Sequence, residues 1–230
     1  MAKRCLVIDL DRCSGCQSCI VACKFENNVT LGNYWCDVIN VDPVGTHPDI
    51  DMYWMPLQCQ QCEDSPCVGA CPTGAAYRDP DNNVVLIDKS TCVGNKACLT
   101  ACPYSDDQGA TRPSVRWFNE AEGVTEKCTL CNHITSTSDG IEDTKDSANV
   151  DHAVPPCVHN CSTKARHFGD LDDPNSGASV ALAAAAANGQ KQYSLATAGQ
   201  PGAASTVYLM SDSTAAWRGW GNKVVTHALD

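Results

Sequence analysis

The sequence predicts an α+β fold in which short strands, hairpins and short helices surround groups of cysteine side chains. Cysteine accounts for 17 of the 230 residues, and most of these cysteines stand a few positions apart in runs. Between the runs lie pairs of strand-forming segments joined by turn-forming residues, such as Ala76–Arg78 and Val84–Ile87. So many closely spaced thiols need an explanation other than packing.

Three cysteine runs follow one general pattern, and in each the last cysteine comes four positions after the one before it. They contain Cys13, Cys16, Cys19 and Cys23; Cys59, Cys62, Cys67 and Cys71; and Cys92, Cys98 and Cys102. Two close cysteines, a third a few residues on and a returning fourth, followed by Pro72 or Pro103 in the last two runs, are typical of the bacterial ferredoxin motif. The runs therefore predict iron–sulfur clusters. A zinc-binding structural module is the alternative of a different class, but it needs only four ligands and no returning Cys-Pro.

A fourth run is divided by a polar stretch. It pairs Cys128 and Cys131 with Cys157 and Cys161, and the residues from Asn132 to Pro156 are predicted to be an exposed insertion. The four runs together hold one cysteine fewer than four clusters of four ligands require. The missing thiol is at Asn95, where the spacing of the third run requires a cysteine.

The fourth cysteine of a ferredoxin run ligates the other cluster of its pair. Applied to this chain, that rule predicts four ligand sets: set 1 is Cys13, Cys16, Cys19 and Cys161; set 2 is Cys23, Cys128, Cys131 and Cys157; set 3 is Cys59, Cys62, Cys67 and Cys102; set 4 is Cys71, Cys92 and Cys98, with Asn95 at the vacant position. Iron without a strong fourth ligand is easily lost, so we expect a three-iron cluster at set 4. The alternative is a four-iron cluster with the Asn95 side-chain oxygen or a solvent oxygen on the unique iron.

The elements before the second run are predicted from hydrophobic patterning and turn residues. Lys3–Leu10 is expected to be a buried strand that leads to the first run, where Gly15 permits a tight backbone. Asp42–Asp49 is rich in turn residues and is predicted to be a surface loop. Tyr53–Leu57 is predicted to be an edge strand, because Pro56 cannot donate to a ladder. We expect the aromatic residues near the clusters to pack and exclude water.

The later elements follow the same rules. Ser65 and Pro66 predict the start of a helix, as N-cap and first helical residue. Strand–turn–strand patterns are expected over 76–87 and 114–127, a helix over 180–187 and a strand over 206–210. The fold class is thus two interlocked bacterial-ferredoxin-like modules plus a C-terminal extension. Residues 1–55 with 112–177 form the predicted outer module, 56–111 the inner module, and 178–230 an extension predicted to contact a partner.

Charge and composition exclude several classes of function. The net charge of −11 argues against binding nucleic acid or an anionic membrane surface. The longest apolar run, Val180–Ala187, is far shorter than the roughly 20 residues of a membrane span. A disulfide framework would suit a short secreted chain, and the apolar stretch after Met1 is too short for an export signal. Cys5 and Cys36 are expected to be ordinary buried or free thiols, and His159 and His167 to pack or form hydrogen bonds.

No phosphate-binding loop, nucleophile elbow or HExxH motif is present, so the sequence predicts electron transfer with no catalytic residue on this chain. The four runs, Cys102-Pro-Tyr104, Thr125–Cys131 and Gly169–Ser176 together resemble the four-cluster ferredoxin subunit of the dimethyl sulfoxide reductase family of molybdenum oxidoreductases. The resemblance covers Lys3 to Ser176.

The resemblance implies three 4Fe-4S clusters and one 3Fe-4S cluster, and electron transfer to or from a large catalytic subunit. That partner would hold a molybdenum or tungsten bis-pterin guanine dinucleotide. The implied order places the Cys13 cluster nearest the partner and the Cys71 cluster at the far end. A membrane anchor or a soluble electron donor is a further possible partner. We expect cytoplasmic assembly, with export only alongside a signal-bearing catalytic subunit.

Two motifs depart from most of the family. Ser162 follows Cys161 where most relatives have proline, and Cys157–Cys161 resembles the small subunit of pyrogallol-phloroglucinol transhydroxylase and the catechol dehydroxylases. Glu26–Asn28 is similar to arsenate respiratory reductase subunits. The motifs favour an aromatic dehydroxylase or transhydroxylase partner. The alternatives are the small subunit of a respiratory reductase acting on arsenate, polysulfide or dimethyl sulfoxide, the electron subunit of a formate dehydrogenase or hydrogenase, and a free-standing ferredoxin.

Overall fold

The computed structural model describes residues 3–105, 113–136, 154–196, 206–211 and 225–228. Its strands are β1 (Arg4–Asp9), β2 (Cys36–Thr46), β3 (Asp49–Gln58), β4 (Ala76–Arg78), β5 (Val85–Ile87), β6 (Arg116–Asn119), β7 (Val124–Lys127), β8 (Arg166–Asp170), β9 (Lys191–Ala196), β10 (Thr206–Met210) and β11 (Val225–Ala228). Its helices are α1 (Ser18–Glu26), α2 (Pro66–Gly69), α3 (Ala97–Thr100), α4 (Asn132–Thr135), α5 (Pro156–His159) and α6 (Gly177–Ala187). The presence of both strands and helices, most of them short, confirms the α+β class.

A five-stranded sheet with the order β11-β9-β10-β1-β8 joins the two ends of the chain. The predicted first strand, β1, pairs antiparallel with β8 and parallel with β10, with Leu6 opposite Thr206. The strand predicted over 206–210 is therefore present, and it lies beside β1. The described strands of the C-terminal extension fold back on the chain itself, and contact of this extension with a partner stays a prediction.

Helix α6 covers one face of this sheet. Its Ala178, Ala181 and Ala185 pack against Cys5 and Val7 of β1, and all five are buried. Small side chains let helix and sheet approach closely. At Gly169 of β8, an added Cβ would lie 2.5 Å from the Ser176 side chain. The predicted helix is confirmed at its C-terminal end, Ala187, but begins earlier, at Gly177, where the Ser176 hydroxyl caps it by accepting a hydrogen bond from the Ser179 amide.

The other face of the sheet packs toward the cysteine-rich half of the chain. Leu6 and Ile8 of β1 join Met55, Leu57 and Tyr104 in one buried core. The Tyr104 side chain lies in this core, and its hydroxyl donates a 3.0 Å hydrogen bond to the Leu195 carbonyl of β9. The segment after Cys102 is thereby tied to the central sheet.

Three hairpins flank the cysteine runs. The β4–β5 and β6–β7 pairs confirm the two predicted strand–turn–strand segments. The surface loop predicted over Asp42–Asp49 is wrong: most of it belongs to the β2–β3 hairpin, which pairs from Cys36 with Gln58 to Thr46 with Asp49. Pro43 misled the prediction, because its missing amide is accommodated at an irregularity of register between Val41 and Val44.

Most of the predicted insertion between Asn132 and Pro156 lies outside the described residues; α4 occupies its beginning, where Asn132–Thr135 is helical. The predicted helix start at Ser65 and Pro66 is confirmed, although the Ser65 hydroxyl donates to the Cys62 carbonyl and does not cap the helix. In the described ranges, no helix combines the length and apolar character needed to cross a membrane.

Candidate metal centres

The thiols of set 2 line one cavity, although they come from distant parts of the sequence. Cys23 projects from α1, Cys157 from α5, and Cys128 and Cys131 from the loop before α4. Leu130 and Cys131 both have positive φ, 52° and 50°, which bends this loop around the cavity. The space between these side chains amounts to about 390 Å³, counting the part open to solvent.

Set 1 forms where the loop before α1 meets the residues after α5. Cys16 lies at the surface, with its sulfur 3.6 Å from the hydroxyl of Ser162. Burial raises the pKa of Cys13, and the charges of the nearby Cys19 and Cys161 contribute in the same direction. The residue that departs from the family pattern, Ser162, thus contacts a thiol of set 1.

Set 3 lines a cavity of similar size, about 320 Å³. Cys59 and Cys62 follow β3, Cys67 lies in α2, and Cys102 follows α3. Burial raises the pKa of Cys62 to about 12, and the neighbouring charges of Cys59, Cys102 and Cys67 contribute in the same direction. Arg116 of β6 also lines this cavity.

Set 4 lines a cavity of about 300 Å³ with Cys71, Cys92, Cys98 and Asn95. The Cys71 sulfur accepts a 3.3 Å hydrogen bond from the Ala76 amide. The Asn95 side-chain oxygen accepts a 3.2 Å hydrogen bond from the Ala97 amide, two residues on.

The loops of set 1 and set 4 have the same backbone conformation. Gly15 and Gly94 have φ of 69° and 67°, and Gln17 and Lys96, which precede α1 and α3, have φ of 62° and 61° with ψ of 6° at both. Asn95 therefore occupies the position in its loop that Cys16 occupies in the other. The ammonium group of Lys96 forms an ion pair with Glu120 at 3.2 Å and lies over the Phe118 ring. These contacts account for Lys96 without a role at the metal site.

The donor chemistry of the four sets fits an iron–sulfur cluster. Buried thiols that face one another resist ionisation, as shown by the pKa of Cys128, which burial and the Cys157 charge raise to about 12. A bound cationic iron core would remove that cost, because a thiolate that ligates a metal is deprotonated outright. In the described residues, no three His, Cys, Asp or Glu side chains lie close enough together to hold a single metal ion.

Sequence reasoning missed two buried arginines. Arg166 in β8 lies 3.6 Å from the Cys157 sulfur and 3.7 Å from the Cys36 sulfur, and Arg116 is 1% exposed beside set 3. Both stand in strands in which most residues are buried, but a charged residue in a strand is normally taken to face solvent. Cys36 is buried as expected, and it packs in one buried cluster with Cys19.

His159 and His167, the two histidines that flank the last cysteine run, lie outside the four sets. His167 is half-buried in β8, and burial lowers its pKa. His159 lines an open groove with Cys16, Val21, Phe25 and Pro156. Phe25 is 91% exposed and Val21 67% exposed, so two exposed apolar side chains lie next to set 1 in a groove that polar residues also line.

Comparison with known proteins identifies the family. A family model described as a 4Fe-4S dicluster domain matches residues 50–171, more than half of the chain. The chain belongs to the 4Fe-4S dicluster family. It is 40% identical to a protein of Halobacterium salinarum named as a dimethyl sulfoxide reductase iron-sulfur subunit, over 77% of this chain and 70% of the relative.

Two other relatives are named as subunits of a dehydrogenase and of a reductase. A sulfite dehydrogenase subunit of Allochromatium vinosum is 36% identical over 79% of this chain and 75% of the relative. The arsenate respiratory reductase iron-sulfur subunit of Shewanella sp. strain ANA-3 is 33% identical over 74% of this chain and 83% of the relative. The protein is an iron–sulfur electron-transfer subunit of the dimethyl sulfoxide reductase family of molybdenum oxidoreductases.

Proposed function

We propose that this subunit holds four iron–sulfur clusters, one at each of sets 1 to 4, and passes electrons along them to or from a catalytic subunit with a molybdenum or tungsten bis-pterin centre. The observation that carries the proposal is the convergence of each sequence-predicted set in space, clearest at set 2, whose members are up to 134 positions apart in numbering from Cys23 to Cys157. Bound clusters would supply one-electron oxidation and reduction.

The short helices support crosswise sharing of ligands between clusters. Cys19 and Cys23 are one turn apart on α1 but face different sets, as Cys157 and Cys161 do at α5. Helix α1 packs against α5, and α2 packs in the same way against α3. This arrangement supports the proposal of an outer module that holds sets 1 and 2 and an inner module that holds sets 3 and 4.

A three-iron cluster at set 4 is the proposal that the vacancy supports. Asn95 takes the loop position of Cys16 but offers no thiolate, and its oxygen already accepts the Ala97 amide. The four-iron alternative would require that oxygen, or a solvent oxygen, to bind iron in place of sulfur.

We place the catalytic partner against the open groove beside set 1. Cys16 is the one exposed thiol among the cysteines, all of which the structure describes. Next to it, Val21 and Phe25 of α1 expose apolar side chains of the kind that mark protein interfaces. Docking here would bring the partner's redox centre to set 1 first, in the order that the family resemblance implies.

Val21→Asp and Phe25→Asp test the groove as the docking site. Val180→Asp on α6 is the control, because it places the same charge at an exposed valine outside the groove, 54% exposed. We expect the first two variants to lose at least 90% of the pterin-containing subunit on co-purification from the native host, with iron content unchanged and the control unaffected. Full recovery of the partner by Phe25→Asp would place the interface elsewhere.

The class of substrate is inferred from the names of the relatives and from one cysteine motif. The names of the relatives favour a respiratory reductase or dehydrogenase acting on an oxo-anion or sulfoxide. The Cys157–Cys161 motif favours an aromatic dehydroxylase or transhydroxylase. Assay of the purified complex with arsenate, dimethyl sulfoxide and a catechol decides between the two classes.

Iron and acid-labile sulfide analysis tests cluster occupancy. A brown protein with about 15 irons per chain is expected for three four-iron clusters and one three-iron cluster, and about 16 for four four-iron clusters. A colourless protein with stoichiometric zinc would overturn the proposal in favour of the structural module.

A further inference from the structure

Arg166 is a buried cation between sets 1 and 2. It is 3% exposed, and its guanidinium donates to the Cys157 sulfur at 3.6 Å and to the Gln58 side-chain oxygen at 3.2 Å. A third contact, at 3.7 Å, is to the sulfur of Cys36. Within the described ranges it forms no ion pair with a carboxylate, and its Nε has no hydrogen-bond partner.

A buried charge is costly unless an opposite charge compensates it. Two of the three side chains that accept its hydrogen bonds are cysteines, Cys157 and Cys36. The guanidinium is always protonated in proteins. The residues around it therefore suit a positive charge that faces anionic metal-bound sulfur.

Cys36 extends this contact from set 2 to set 1. It belongs to no predicted set, is 2% exposed, and packs in one buried cluster with Cys19 of set 1 and Cys157 of set 2, while its sulfur lies beside Arg166. The side chains of Cys19, Cys36, Arg166 and Cys157 thus form a continuous line from one set to the other.

We propose that Arg166 is a potential-setting residue whose fixed positive charge raises the reduction potentials of the clusters at sets 1 and 2 together. Reduction adds negative charge to a cluster, and a nearby cation stabilises the reduced form. Because the guanidinium is buried, salt screens this effect little. It acts on set 2 directly at Cys157 and on set 1 through Cys36 and Cys19. The inference rests on the proposed cluster occupancy.

Arg116 provides an internal comparison at set 3. It is 1% exposed, one of its terminal nitrogens has no hydrogen-bond partner in the described structure, and it lines the cavity of Cys59, Cys67 and Cys102. The same physical argument gives Arg116 an effect on set 3, separate from the effect of Arg166 on sets 1 and 2.

The test is an anaerobic redox titration of the complete chain, followed by electron paramagnetic resonance so that each cluster is measured separately. Arg166→Gln should lower the midpoint potentials of two clusters by at least about 59 mV, which for one electron is a tenfold change in the reduced-to-oxidised ratio. Arg116→Gln should lower the midpoint of a third cluster by a similar factor. Arg166→Lys should keep most of the wild-type potentials, because it keeps the charge.

A second variant keeps Arg166 in place. Gln58→Glu is isosteric and puts a carboxylate where Arg166 now donates to an amide oxygen, so it should lower the same two midpoints as Arg166→Gln. Unchanged midpoints in Gln58→Glu with full iron content would overturn the proposal, as would shifts of the same clusters in Arg166→Gln and Arg116→Gln. Loss of iron from Arg166→Lys would indicate a packing role and would also contradict it. Absence of cluster signals from the wild type would instead refute the proposed function.

Discussion

Replacing Gly15 with alanine should destabilise the loop of set 1 through contact with Trp54. Gly15 has φ of +69°, and a Cβ there would lie 2.3 Å from Cδ2 of the Trp54 indole. Gly123 has the same φ of +69° but nothing within 4 Å of an added Cβ. Gly123→Ala therefore measures the backbone cost alone, and Gly15→Ala measures the backbone cost plus the clash.

The magnitudes follow from this difference. A non-glycine residue in the left-handed region costs about 1–2 kcal/mol, which both variants should show. Overpacking adds about 1–3 kcal/mol, which only Gly15→Ala should show. With a slope of roughly 2 kcal/mol/M, the urea midpoint of Gly15→Ala should fall about 0.5–1.5 M below that of Gly123→Ala.

Anaerobic urea unfolding, followed by loss of visible absorbance and by circular dichroism, measures both midpoints. Combining Gly15→Ala with Trp54→Ala should cost less than the sum of the two single changes, because the double variant removes the clash. Equal midpoints for Gly15→Ala and Gly123→Ala would refute the packing of Trp54 on this loop.

Three further predictions concern set 4, pH and the core. Asn95→Cys should replace the three-iron electron paramagnetic resonance signal with that of a four-iron cluster and lower its potential; an unchanged signal and potential would contradict the vacancy. His167 has a pKa below its ordinary 6.5 because it is buried, so the unfolded chain binds more protons and stability falls with acid below about pH 6.5. His167→Gln should flatten stability between pH 7 and 5 in urea titrations, and parallel curves would refute this. Tyr104→Phe removes the hydrogen bond to Leu195 and should cost about 1 kcal/mol, whereas Tyr77→Phe, at an exposed ring, should cost almost nothing; equal costs would contradict the role of the bond.

Local patterns predicted the β4–β5 and β6–β7 hairpins, because turn residues act over a few positions. The β4–β5 hairpin follows from Asp79–Asn83 between two apolar segments, and α2 follows from Ser65 and Pro66. The β2–β3 hairpin was missed because Pro43 and Pro48 are typical of a loop. The two strands nevertheless pair on both sides of the register shift between Val41 and Val44.

Long-range contacts gave no local signal. The parallel pairing of Thr206–Met210 with β1 depends on strands about 200 residues apart, and nothing in either strand specifies its neighbour. Arg166 was missed for a related reason: its partners, Gln58 and Cys157, come from other elements, and an arginine alone resembles a surface residue. Cys36 was correctly predicted to be buried, but its contact with Cys19 required the fold.

The central claim is that thiols adjacent on one helix serve different clusters while thiols far apart in sequence serve one. Electron paramagnetic resonance of the reduced Cys19→Ala, Cys23→Ala and Cys128→Ala proteins tests it most directly. The account predicts that Cys23→Ala and Cys128→Ala lose the same signal and that Cys19→Ala loses another. Loss of one shared signal from Cys19→Ala and Cys23→Ala, with Cys128→Ala affecting a different one, would contradict it.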